Sequence, residues 1–191
     1  AAGVKAYLEQ TGTPGQVLYF GCPAEESGSG KSYLVREGLF DQVDTAICWH
    51  PAPFTGVNRP FSLACAEFEF AFTGKAAHAS SSPELGRSAL DAVELMHIGI
   101  NYLREHMSST SRIHYAIVDA GGAAPNVVQA HAVSRQMIRA ESLEEMWQLV
   151  ERVSDIARGA ALMTGTTMAL RQVGGDANLV ANDVLESAMF E

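Results

Sequence analysis

The chain has 191 residues, 47% of them apolar and 18% charged, and its 13 Lys and Arg against 22 Asp and Glu leave a net charge of −9. That composition fills a core and excludes a disordered chain; no apolar run reaches the ~20 residues that cross a bilayer, and the acidic balance lacks the basic stripe that nucleic acid requires. Cys22, Cys48 and Cys65 show no paired spacing and read as buried thiols of a reducing compartment, and with no signal-peptide pattern the expectation is a cytoplasmic protein.

The first ten residues read as a helix with Val4, Tyr7 and Leu8 on one side. Residues 16–21 (QVLYFG) and 43–49 (VDTAICW) are short apolar runs suited to buried parallel strands, with a helix over about 30–37 between them. Pro51, Pro53, Gly56 and Pro60 then mark a loop.

Near residue 62 the pattern changes. Residues 63–73 alternate strictly, with Phe68, Phe70 and Phe72 facing one way and Glu67 and Glu69 the other, as in a half-exposed antiparallel strand. A helix over about 86–106 carries Leu90, Val93, Met96, Ile100 and Leu103 on one stripe. Strands are expected over 112–119 and 127–140. Ser142 and Glu145 then form a capping box in which each side chain satisfies an orphan backbone donor. The helix they open buries Met146, Leu149, Val153, Ile156 and Ala160 and ends near Gly165, and residues 166–173 make a last strand. The order is βαββαβ, an α+β plan with an antiparallel sheet and both helices on one face. Residues 183–191 read as a further helix with no stop signal, so the chain is expected to be a piece of a longer protein.

Few motifs carry chemistry. Residues 27–32 (SGSGKS) imitate a phosphate-binding loop, but Glu25 stands where the Walker spacing needs glycine, and two carboxylates there would repel phosphate. Gly28 and Gly30 instead let a loop turn tightly. Glu25 and Glu26, placed after the first apolar run, are either a solvated pair or an acid/base carboxylate beside a metal-binding one. His50 ends the second run on the same edge and can share an ion with a carboxylate. His78, in the small-residue loop after the first alternating strand, Asn126 and Arg139 would each pass alone for surface residues. His97, His106, His114 and His131 have no ligand spacing and read as structural or solvent-facing.

Together these segments resemble the co-catalytic two-metal amidohydrolases and peptidases of the aminoacylase and carboxypeptidase group. The resemblance rests on GCPAEESGSGK, on the stretch from Asp44 to His50, on Gly74 to Ala92 (GKAAHA, then P-x-x-GRSALDA), and on Pro125-Asn126-Val127-Val128 followed by Arg139. The stretches GRSALDAVELM and DAGGAAPNVV are most similar to the aminobenzoyl-glutamate branch of that group. One departure is Gln129-Ala130, where the group carries Pro-Asp.

The resemblance implies a partial α/β zinc-peptidase-like catalytic domain over 1–61, a ferredoxin-like lid and dimerisation domain over 62–174, and a return segment over 175–191. It implies Glu25 as general base, Glu26 and His50 as metal ligands, and His78 as the lid histidine that reaches a partner subunit's site and stabilises the oxyanion. Asn126 and Arg139 would hold the substrate, Arg139 by its carboxylate. The implied cofactors are two divalent metal ions, Zn or Mn, in the parent enzyme. The other ligands would come from segments outside these residues, so this chain is expected to hold no complete pair and to be inactive alone. The implied substrate is p-aminobenzoyl-glutamate or a related N-acyl amino acid, and the implied partner a second lid, in a homodimer or a heterodimer with a related subunit. The alternative is a non-enzymatic lid-type dimerisation module, which would need none of these six residues.

Overall fold

The computed structural model describes residues 1–25, 28–57 and 61–190, which cluster as two units, Ala1–Ala46 and Ile47–Glu191. The first unit holds α1 (Ala2–Thr11) and α2 (Gly30–Arg36). α1 ends at Gly12, whose left-handed φ of 65° lets its N–H cap the Leu8 carbonyl. Phe20 and Phe40 pack with ring centroids 4.5 Å apart.

The second unit contains β1 (Ala64–Thr73), α3 (Ala89–Leu103), β2 (Arg112–Asp119), β3 (His131–Ala140), α4 (Leu143–Thr164), β4 (Thr167–Asp176) and α5 (Asp183–Phe190). Its four strands lie in the order β2-β3-β1-β4, every neighbour antiparallel. β1 and β2 are therefore parallel and separated by β3, and β3 and β4 are separated by β1: two interleaved split βαβ units, as the alternation and helix stripes predict. The fold class is α+β.

The core follows from the period of two in β1. Ala64, Ala66, Phe68, Phe70 and Phe72 are buried while Cys65, Glu67 and Glu69 face outward. β3 does the same, burying Ala132, Ser134, Gln136, Ile138 and Ala140. α3 covers that face with Val93, Met96 and Ile100, and α4 with Met146, Leu149, Val153 and Ala157. Both helices cover the same face: His97 of α3 meets Ser134, and Trp147 of α4 sets its edge against Phe68. The opposite sheet face carries the charged Glu67, Glu69, Arg135, Arg139 and Arg171 among smaller and apolar side chains such as Ala71 and Met137.

Three expectations are corrected. The runs at 16–21 and 43–49 form no strands, and Leu18, Tyr19, Ile47 and Trp49 are exposed. Apolar composition suits a segment to a sheet interior, but a strand exists only through ladder bonds to a neighbour, and neither run has one among the described residues. The cysteines are not buried thiols: Cys48 is exposed, and Cys22 and Cys65 are half-buried. Cys65 takes an outward position of β1, where alternation denies it the core. The capping box is half made. Ser142 accepts from the Glu145 backbone N–H at 3.2 Å, but the Glu145 carboxylate accepts from the buried Ser111 hydroxyl at 2.7 Å instead of returning to the cap. Among the described residues no helix is long and apolar enough to cross a membrane.

Candidate functional site

In the first unit, Glu25 is exposed in the loop before α2, and Lys31 Nζ lies 3.7 Å from its Oε1. Lys31 thus answers a carboxylate where a phosphate loop would need an open cradle. The loop is tight, because a Cβ on Gly30 would lie 1.9 Å from the Pro23 carbonyl oxygen, so no other residue fits without moving the turn. Glu26 lies outside the described residues.

His50 is exposed, with Nδ1 2.8 Å from the Pro51 carbonyl oxygen. A carbonyl only accepts, so Nδ1 carries a proton, and in the neutral ring Nε2 is left with the lone pair. That is the arrangement of a metal-ligating histidine, oriented through its other nitrogen. A full ligand set is another matter. Among the described residues no group of three or more His, Cys, Asp or Glu is placed to hold an ion.

The second unit brings His78 and Asn126 together. Beyond the last β1–β3 ladder pair, Thr73 with His131, the two chains continue side by side: Gly74 N–H donates to Ala130 O, Val128 N–H to Ala77 O, and Ala79 N–H to Asn126 O at 2.9 Å. His78 forms an isolated bridge with Val127. Glycine is required at the root of this loop, since a Cβ on Gly74 would stand 1.9 Å from Arg87 O, the acceptor of the Lys75 N–H. His78 is exposed, and the backbone N–H groups of Ser80 and Ser81 both point at its Nδ1, each at 3.3 Å. Those groups can only donate. Nδ1 is therefore the acceptor, and the neutral ring offers Nε2–H outward as a donor.

Arg139 is not part of that grouping. It stands at the opposite end of β3, paired with Cys65 of β1 and Arg112 of β2. Eight residues of strand, roughly 26 Å at ~3.3 Å per residue, separate it from the His131 end. Its neighbours on the outer face are committed: Glu69 accepts from Arg135 and Arg171, and Glu67 lies 3.7 Å from Arg135. The two guanidiniums beside Glu69 hold its carboxyl below the usual carboxylate range. Arg139 has no carboxylate within ion-pair distance among the described residues. Its Nη2 lies 3.1 Å from the Met137 sulfur, a weak acceptor, and its buried Nε has no partner. Burial raises the adjacent Cys65 thiol against the opposing pull of Arg139.

Two features are not legible in the sequence. His97, whose spacing allows either a structural or a solvent-facing place, is buried, with Nε2 2.7 Å from Ser134 Oγ and its ring stacked on Tyr115 at 3.7 Å. The Arg112–Arg139 juxtaposition is a matter of register, which only a known β2–β3 pairing supplies.

The second unit is thus an α+β domain with helices on one face, an open sheet face on the other, and Tyr115, Ile117 and Val118 exposed on its edge strand β2. Residues 62–163 match the peptidase dimerisation domain, and the chain belongs to that M20 peptidase family. Among curated relatives, it is 49% identical over 191 residues to the B-type subunit of p-aminobenzoyl-glutamate hydrolase from Escherichia coli, covering 100% of this chain and 40% of that one. It is 34% identical over 194 residues to mouse Xaa-Arg dipeptidase, again over 100% of this chain and 44% of the relative. Among solved structures, the aminobenzoyl-glutamate utilization protein of Klebsiella pneumoniae superposes with a TM-score of 0.58 at 28% identity, over 65% of this chain and 32% of that one. The chain spans about two-fifths of the length of the curated relatives it matches.

Proposed function

We propose that the chain is the lid and part of the catalytic domain of a metal-dependent amidohydrolase that cleaves the amide bond of p-aminobenzoyl-glutamate or a related N-acyl amino acid. The lid is 62–174, with 1–61 and 175–191 belonging to the catalytic domain. What carries the reading is the pair of unspent groups on the lid. His78 offers an Nε2–H donor suited to the oxyanion of a tetrahedral intermediate. Arg139 offers a guanidinium with no carboxylate of its own, suited to a substrate carboxylate, and Asn126 lies beside the histidine loop to hold the substrate. Glu25 is the base that takes the proton of the attacking water. Glu26 and His50 would supply ligands to a pair of divalent cations, Zn or Mn, and such ions when bound would supply Lewis-acid activation of the amide and the water. Glu26 and His50 supply at most two ligands, so this chain alone does not hydrolyse the substrate.

One lid cannot use both groups on one substrate, because they sit at opposite ends of β3. A second lid resolves this. β2 is a sheet edge that exposes Tyr115, Ile117 and Val118, and Ile98 and Tyr102 of α3 are exposed as well. Two copies pairing antiparallel through β2 about a two-fold axis place the His78 end of one beside the Arg139 end of the other. Such an interface should bury more than roughly 1,000 Å². A related subunit with the same edge could replace the second copy, as the subunit designation of the E. coli relative suggests.

The test of the chemistry is Glu25→Gln in the full-length protein. The amide keeps the shape but cannot take the proton, so turnover of p-aminobenzoyl-glutamate should fall by 10²-fold or more, in the range of ~10²–10⁴ for a lost general base, with metal content unchanged. A variant that keeps most of its activity contradicts the assignment.

A further inference from the structure

We propose that Arg112 is a second carboxylate-recognising residue beside Arg139, and that the pair selects substrates whose amino-acid half carries two carboxylates. The inference rests on the reading of Arg139 as the residue that holds the substrate carboxylate, and it assigns a specificity role to a residue that no motif marks. Arg112 opens β2 directly opposite Arg139 of β3. Residues directly opposite in an antiparallel pair project from the same face with Cβ atoms about 5 Å apart, and like charges in that position destabilise a sheet. Guanidiniums cannot relieve the repulsion by losing a proton.

Elsewhere on this face the fold compensates its cations. Glu69 serves Arg135 and Arg171, and Glu67 adds to Arg135. At the Arg112–Arg139 end no carboxylate is within ion-pair distance of either head among the described residues. The exposed Arg112 head is held by backbone, its Nη1 donating to the Ser109 and Ser111 carbonyls, which leaves Nη2 and Nε for a ligand. Arg139 keeps a buried Nε without a partner. Two fixed, adjacent, uncompensated forks match a ligand with two carboxylates a few carbons apart: the α- and side-chain carboxylates of an N-acyl glutamate or aspartate.

The experiment compares p-aminobenzoyl-glutamate with p-aminobenzoyl-alanine as substrates of the full-length enzyme. Arg112→Ala should raise KM for the glutamate substrate by about tenfold or more, the loss of one charge-assisted contact, while kcat stays within about twofold. The alanine substrate should be unaffected, which also shows that the variant folds. Arg112→Lys should recover part of the loss, because charge remains and the fork does not. If Arg112→Ala leaves the glutamate-to-alanine preference unchanged, or harms both substrates equally, the inference fails. Arg139→Ala separates the two levels: a changed preference there with none at Arg112 leaves the proposed function standing, and no change at either position removes both.

Discussion

Gly74→Ala tests whether the loop that presents His78 is built as described. The added Cβ would lie 1.9 Å from Arg87 O, and contacts under 3.0 Å essentially never occur for a real Cβ, so the carbonyl must retreat by about 1 Å. That carbonyl accepts from Lys75 N–H at 2.8 Å, and Arg87 N–H returns a bond to Lys75 O at 2.9 Å. Losing both bonds at about 1 kcal/mol each gives a destabilisation of about 2 kcal/mol. In urea, with a slope of ~1–3 kcal/mol/M, the midpoint should drop by about 1 M. Gly159→Ala is the matched control, since nothing lies within 4 Å of a Cβ there. It sits inside α4, where replacing glycine should stabilise by up to about 1 kcal/mol. In Gly74→Ala the His78 ring nitrogens should also change their NMR shifts, because Gly74 roots the loop that carries the turn over residues 78–82, in which Ser80 and Ser81 point at Nδ1. A Gly74→Ala chain as stable as the parent, with an unchanged His78 spectrum, refutes the reasoning.

Two further outcomes are expected. Burial first, and then the Arg104 charge, lowers the His97 pKa from its ordinary value near 6.5. The unfolded chain therefore binds more protons below pH ~6.5, and stability should fall as pH drops from there through the folded value. His97→Gln should flatten that dependence in urea titrations at pH 7 and 5.5, and an unchanged slope would assign it to other groups. Ile117→Lys places a charge on the exposed β2 edge and should convert a dimer to monomer by sedimentation at tens of micromolar with the circular dichroism retained; a persistent dimer would move the interface off this edge.

The lid is legible in the sequence because its signals are local and mutually consistent. Alternation in β1, the apolar stripes of α3 and α4, the Ser142 cap and Gly165 each act within a few residues. The runs at 16–21 and 43–49 mislead because a buried strand depends on neighbours, which an apolar run does not reveal. The Glu145 carboxylate leaves its cap because a buried hydroxyl, Ser111, lies within reach from 34 residues away, a competitor that no local pattern shows. At the candidate site, His78 and Asn126 stand out as separate motifs, but their adjacency, the tautomer of His78 and the pairing of Arg139 with Arg112 come from register. The distance between the two ends of β3 is equally invisible, and the proposal of a second lid rests on it.

The most direct test of the shared site is complementation between two full-length variants expected to have lost activity towards p-aminobenzoyl-glutamate, His78→Ala and Arg139→Ala. In a two-fold dimer whose sites take Arg139 from one subunit and His78 from the other, each variant alone has two defective sites. A mixed dimer has one intact site and one doubly defective site. After subunit exchange, half of the dimers are mixed, so about a quarter of the wild-type activity towards p-aminobenzoyl-glutamate should return. Mixtures that stay as inactive as their components, although exchange is shown by mass spectrometry, would contradict the shared site.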